Sequence, residues 1–331
     1  FKISGPKKSM SSGKISMAVI KQGVLVSALL LTMGCQAQLA VPQTWESPLY
    51  ADGQLVGKIW DSNRDQFIDQ QQLIQRINDS RYLLLGEKHD NPDHHALQKT
   101  MLDYYLQQQR VGSVAFEMME SDKQELLDEI ANIEFSGLDQ IRNYLQWDEE
   151  GWDWPFYGPL IESSYNAGVG ISAGNITSEF MGQVYGGGLP AGAVDVLDET
   201  VIEKLNADID ESHCGMLPES QFPAMVRVQQ ARDFSMAGSV SAKESSGKLN
   251  VLIAGNFHVR QDLGVPNYLL AADDTLNRNQ IVSLSFQEVD SSELSPQEYL
   301  QQFNEVKAFD FIWFTPAISN EDYCASLRGE V

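Results

Sequence analysis

Cysteine is scarce. The chain has three, Cys35, Cys214 and Cys324, and none lies close enough to another in sequence to build a zinc cluster. No G-x-S-x-G string is present, which argues against a serine nucleophile on an elbow turn. Bases are few, with 23 Lys and Arg against 46 Asp and Glu and a formal charge of −23. A surface that acidic repels phosphate backbones, so no nucleic-acid partner is expected. No apolar run reaches the roughly 18 residues of a bilayer span, which excludes a polytopic membrane protein. No repeat recurs at a solenoid or propeller period. What remains is ordinary globular material. The 331 residues are 43% apolar and 9% aromatic, enough chain for one large or two modest domains.

The charge is uneven. Residues 1–34 hold Lys2, Lys7, Lys8, Lys14 and Lys21 and no acid. A basic stretch, the apolar run Val24 to Met33 and then Gly34-Cys35 follow the order of a secretory signal. Leu31-Thr32-Met33-Gly34-Cys35 looks like a lipobox, with Thr32 where Leu is usual. On that reading Cys35 is lipidated, and residues 35–58 are a tether. Gln36 follows Cys35, which by resemblance to bacterial lipoproteins points to the outer membrane and a periplasmic face. Export makes disulfides permissible. Cys214 and Cys324 either pair, closing a long loop, or remain free thiols.

The rest, 59–331, alternates short apolar runs with helical patterns. Arg81 to Leu85, Val111 to Phe116, Val169 to Ala173, Leu249 to Ala254, Ile281 to Phe286 and Phe309 to Phe314 read as strands buried on both faces. Asn91-Pro92 opens a helix carrying Leu97, Met101, Leu102 and Tyr105. Ser121-Asp122-Lys123-Gln124 has the form of a capping box. The fold expected is α/β, a mostly parallel sheet flanked by helices. Residues 178 to 245 lack a strand pattern and are expected to form a small inserted helical subdomain.

Ligands of such sheets bind beyond the carboxyl ends of the strands. There the first strand runs into Gly86-Glu87-Lys88-His89, the second into Glu117, and the fourth into Gly255-Asn256-Phe257-His258, with Arg260 beyond. Two G-x-x-H elements and a strand-end Glu are therefore expected to converge, with glycine permitting a sharp turn at positive φ. Each residue also has a plain structural role open to it: a Glu can cap a helix, and a lone His can be a bonded structural group. His94 and His95, in a first helical turn, read by default as surface residues. His213 lies in a loop of the helical insert.

The strings LLLGEKHDNPDHHALQ, VAFEMM, HCGMLPES, MVRVQQARD and LIAGNFHVRQDLGVPNYL resemble the ChaN family of haem-binding lipoproteins, over about residues 60 to 290. The wider superfamily includes Tiki-type proteases and erythromycin-esterase-like proteins. The resemblance implies a haem carrier for iron uptake or storage, a homodimer around the haem, a tyrosine iron ligand and an outer-membrane haem receptor as partner. Tyr157, in the aromatic segment Trp147 to Tyr157, is the first candidate ligand, before Tyr104, Tyr165 and Tyr185. Lys88, His89, His258 and Arg260 are candidates to bind the propionates. No C-x-x-C-H string exists, which excludes covalent c-type attachment. The alternative from the same resemblance is a metal-dependent hydrolase. In it His89, His258, Glu87 and Glu117 would hold a divalent metal such as zinc or manganese.

Overall fold

Leu83 and Leu85 enter one apolar core, while Tyr82 and Leu84 enter another. Val251 and Ile253 against Leu252 and Ala254 repeat the alternation. Period-two side chains, all apolar, make a strand that needs cover on both faces. Six such strands were expected, and all six form.

The computed structural model describes residues 39–194, 196–243, 247–292 and 295–328, with positions 1, 5 and 8–10. The chain divides into Phe1–Gln36 and Ala37–Val331, and the second unit is described below. Most of the leader, including the run Val24 to Met33, lies outside the described residues, as do Cys35 and the start of the tether. The strands are β1 (Ile59–Asp61), β2 (Gln66–Ile68), β3 (Tyr82–Glu87), β4 (Val111–Glu120), β5 (Gly170–Asn175), β6 (Leu249–Gly255), β7 (Ile281–Glu288) and β8 (Phe311–Thr315). Between and after them run α1 (Gln70–Ile77), α2 (Pro92–Gln107), α3 (Gln124–Glu129), α4 (Leu138–Leu145), α5 (Trp154–Asn166), α6 (Ser178–Gly186), α7 (Glu199–Ser212), α8 (Phe222–Ser241), α9 (Val265–Ala272) and α10 (Tyr323–Leu327). No helix among the described residues is long and apolar enough to cross a membrane.

Among the described residues, one sheet carries eight strands in the order β2-β1-β8-β7-β3-β6-β4-β5. β3 to β8 are parallel, and β1 and β2 add an antiparallel edge. From β3 the chain moves toward β4 on one side, and from β6 it moves toward β7 on the other. The carboxyl ends of β3 and β6 therefore flank the point where the winding reverses, where α/β sheets open a crevice. α2 covers one face with Leu97, Met101, Leu102 and Tyr105. α9 covers the other with Val265, Tyr268 and Leu269.

Two local expectations change, and one left open is decided. The capping box at Ser121 does not form: residues 121–123 are a 3-10 turn, and α3 has no side-chain cap. Gln124 instead accepts the Ala173 N–H at 2.9 Å, serving the otherwise unpaired side of the edge strand β5. The stretch from 178 is helical as expected, but only its first part stands apart. α6, α7 and the start of α8 share small clusters around Val184, Val201 and Leu205. The second half of α8 lays Met236, Ala237 and Val240 on the sheet, as a crossover helix does. Finally, Cys214 and Cys324 are bonded, with Cα atoms 5.4 Å apart.

Candidate functional site

Gly86 and Gly255 bring the two strand-end loops into contact, for a reason other than turn geometry. Neither has positive φ. A Cβ on Gly86 would stand 2.4 Å from Val259 and 2.5 Å from the Asn256 side chain, and one on Gly255 would stand 3.0 Å from the His89 ring. Both positions need glycine for close approach.

The approach gathers Glu87, His89, Glu117 and His258 at the carboxyl edge, as the strand-end pattern implied. Glu87, the last residue of β3, is 1% exposed. Its Oε1 lies 2.5 Å from His89 Nδ1 and accepts the Tyr157 hydroxyl at 3.1 Å. Its Oε2 is buried with no hydrogen-bond partner. Burial opposes charge on His89, but the bond and charge of Glu87, with Glu117 behind it, outweigh burial and raise the imidazole pKa. The His89 side chain is 46% exposed. Its Nε2 has no hydrogen-bond partner among the described residues, and Trp152 packs edge-on against the ring at 4.8 Å.

Glu117 sits where β4 shifts register against β5. Its Oε2 accepts the Gly255 N–H at 2.7 Å, and its Oε1 accepts from Arg232 Nη2 at 2.6 Å and lies 3.2 Å from His258 Nε2. Burial would raise its carboxyl pKa, but His258 and Arg232 override burial and hold it far below the carboxylate range. His258 Nδ1 lies 2.6 Å from Asp233 Oδ1. Burial opposes charge on this imidazole too, but Glu117 and Asp233 outweigh it and push the pKa up to about 9. Each nitrogen of His258 thus faces an acidic side chain, Glu117 or Asp233, and burial raises the Asp233 carboxyl pKa despite His258 and Arg232. Among the described residues, no group of three or more His, Cys, Asp or Glu has metal-holding geometry.

Arg232 and Asp233 escaped the sequence reading. Both belong to α8, with Gln229 one turn earlier, and the Gln229 amide lies 3.0 Å from His258 Nδ1. The spacing of Gln229, Arg232 and Asp233, which puts them on one helix face, was the available signal. Arg232 also donates to Asn175 at the end of β5.

Other candidates stand elsewhere. The Lys88 ammonium pairs with Asp90 at 2.9 Å and Glu288 at 3.4 Å. Arg260 is buried and forks onto Asp262 at 2.9 and 2.7 Å, so it presents nothing to a ligand. Tyr157 is 1% exposed, with its hydroxyl given to Glu87. Burial, then the neighbouring carboxylates, push its pKa up. His94 and His95 are buried rather than on the surface. His94 accepts the Lys88 N–H at 2.9 Å and meets Thr315. His95 stacks on Phe156 and bonds the His89 carbonyl. His213 bonds the Ile209 carbonyl at the end of α7.

Beside the cluster opens a cleft of about 480 Å³. Met118, Met119, Trp147, Trp152, Met181 and Arg232 are among its walls. Trp152 and Arg232 link it to His89 and Glu117 respectively.

A family model described as haem-binding uptake, Tiki superfamily, ChaN matches residues 73–269. A solved structure of cofacial heme binding to ChaN of Campylobacter jejuni aligns with a TM-score of 0.62 and 23% identity, over 77% of this chain and 95% of that one. The two share a fold. A structure of an erythromycin esterase mutant in its open conformation aligns over 77% of this chain and 95% of that one, at 11% identity and a TM-score of 0.45. No curated protein matches the chain.

Proposed function

The chain belongs to the haem-binding uptake family of the Tiki superfamily that includes ChaN, and from that premise we propose that it binds haem beside His89, for haem or iron uptake or storage at the cell envelope. The observation that carries the reading is the cleft, walled by Trp147, Trp152 and three methionines, that adjoins an imidazole with an unpartnered nitrogen. Indoles and thioethers suit the flat apolar face of a porphyrin. Glu87 holds His89 through Nδ1, which leaves Nε2 as the nitrogen for a ligand. Neutral, that nitrogen is a metal ligand; protonated, it donates to a propionate. Its raised pKa favours the second role. Bound haem would supply the iron that is the cargo. A second copy would cover the porphyrin face that one cleft leaves open, as cofacial binding in the Campylobacter jejuni protein suggests. An outer-membrane haem receptor is the proposed partner.

Ferric haemin titrated into the full chain is expected to give a saturable Soret band and a heavier species in light scattering. Trp152→Ala and His89→Ala should each weaken binding about tenfold or more, as loss of an aromatic wall or a charge-assisted bond does. Tyr157→Phe should leave the ferric spectrum unchanged, because a phenol held as a donor to Glu87 is not an iron phenolate. A lost tyrosinate band in that variant would restore Tyr157 as the ligand. No Soret band, together with a stoichiometric divalent metal, would reject haem binding.

We also propose that Cys35 is lipidated and anchors the protein at the outer membrane. The basis is the apolar run that ends at Gly34-Cys35. Cys35→Ser should move the protein to the soluble fraction, and unchanged membrane association would refute the anchor.

A further inference from the structure

The opposite, amino edge of the sheet holds a second polar recess, of about 630 Å³. Three cations line it, Arg81, Arg110 and Lys248. Each is the residue immediately before a strand, β3, β4 and β6 respectively, and those strands are neighbours in the order β3-β6-β4. The backbone locks them there, because Arg81 O accepts from Asn250 N and Arg110 O accepts from Leu249 N. Three like charges on adjacent strand starts repel one another. Their concentration is notable in a chain with 23 bases and a net charge of −23.

Local structure uses part of their capacity. Arg110 donates to Asn78 O, the C-cap carbonyl of α1, at 2.7 Å. Lys248 donates to Gln109 O. Arg81 pairs with Asp273 at 2.9 Å. The Arg110 bond to Asn78 engages one nitrogen, whereas a guanidinium carries five N–H donors. Arg110 Nε is buried with no hydrogen-bond partner. Among the described residues lining the recess, Asp79 is the only acid.

We propose that this recess is an oxyanion site for a phosphate group, free or as a phosphodiester headgroup, held by Arg110 and Lys248 with Arg81 at the rim. Several acceptor oxygens on one compact anion match donors arriving from three strands. The site is separate from the haem proposal, since it lies at the other end of the strands.

Isothermal titration of the full chain at constant ionic strength tests it, with inorganic phosphate and with a water-soluble glycerophosphodiester as probes. Saturable binding of at least one probe is expected. Arg110→Gln and Lys248→Gln should each weaken it about tenfold, the size of one charge-assisted bond. Tighter phosphate binding identifies the free ion, and tighter diester binding a lipid headgroup; either supports the site. Circular dichroism shows whether each variant folds, and Lys248→Gln, which removes no buried atom of α1, serves if Arg110→Gln does not. No saturable binding of either probe, or binding unchanged in both folded variants, overturns the proposal.

Discussion

Glu117→Gln should lower folding stability by about 3–5 kcal/mol, the range for breaking a buried ion pair by removing one charge. Glu117 is 1% exposed and is the shared acceptor of Arg232, His258 and the Gly255 backbone. The amide keeps the shape but leaves Arg232 and His258 facing each other with less counter-charge. The pH profile follows from the same contacts. The folded His258 pKa is raised, from 6.5 to about 9. The stability it contributes is thus fully present below about pH 6.5 and fades as pH rises through about 9. Glu117 is depressed, so its contribution is present above its ordinary 4.5 and is lost in acid. Urea unfolding at about pH 5.5, 7 and 9, roughly the plateau, the shoulder and the midpoint of the His258 titration, should show the parent weakening toward alkali. The variant should weaken less over that interval, since its His258 has lost a carboxylate. A variant within about 1 kcal/mol of the parent, the scale of an exposed pair, would mean that these groups do not act as one buried network.

Removing the Cys214–Cys324 bridge should cost about 4–5 kcal/mol in the chain-entropy account, which scales with the loop closed. The two residues are 110 positions apart. The closed loop holds α8, β6, α9, β7 and β8, so an open chain gains freedom across three of the eight strands described. The bridge also ties the short α10 to the turn after α7. Cys214→Ser/Cys324→Ser, compared with the oxidised parent in urea, should show the loss as a lower midpoint. An unchanged midpoint would show that the unfolded chain gains nothing when the loop is opened.

The parallel strands were legible because each is a continuous apolar run that only a doubly covered sheet accommodates. β1 and β2 were not. Each is three residues long, and β2 shows Gln66 and Phe67 to solvent, so no periodic signal accumulates. His94 and His95 were misplaced for a related reason. A polar first turn normally faces water, but the N–H of Lys88 and the hydroxyl of Thr315 satisfy His94 internally. The Ser121 box failed because Gln124 found a competing partner on β5.

The sequence by itself determined that Glu87, His89, Glu117 and His258 end up at one edge, because each follows a buried parallel run and parallel runs end on the same side. Only the tertiary structure decided what each does there. The order β3-β6-β4 places Glu117 against Gly255 and His258, and α8 returns Arg232 and Asp233 over them from about 25 residues upstream of His258. That contact encloses His258 between two acidic side chains and leaves His89 Nε2 open, although both histidines follow a glycine by the same three residues. Spacing along a strand is a local property of the chain. The charge state of an imidazole is set by whichever groups pack against it, and those come from strands and a helix that only the assembled sheet brings together.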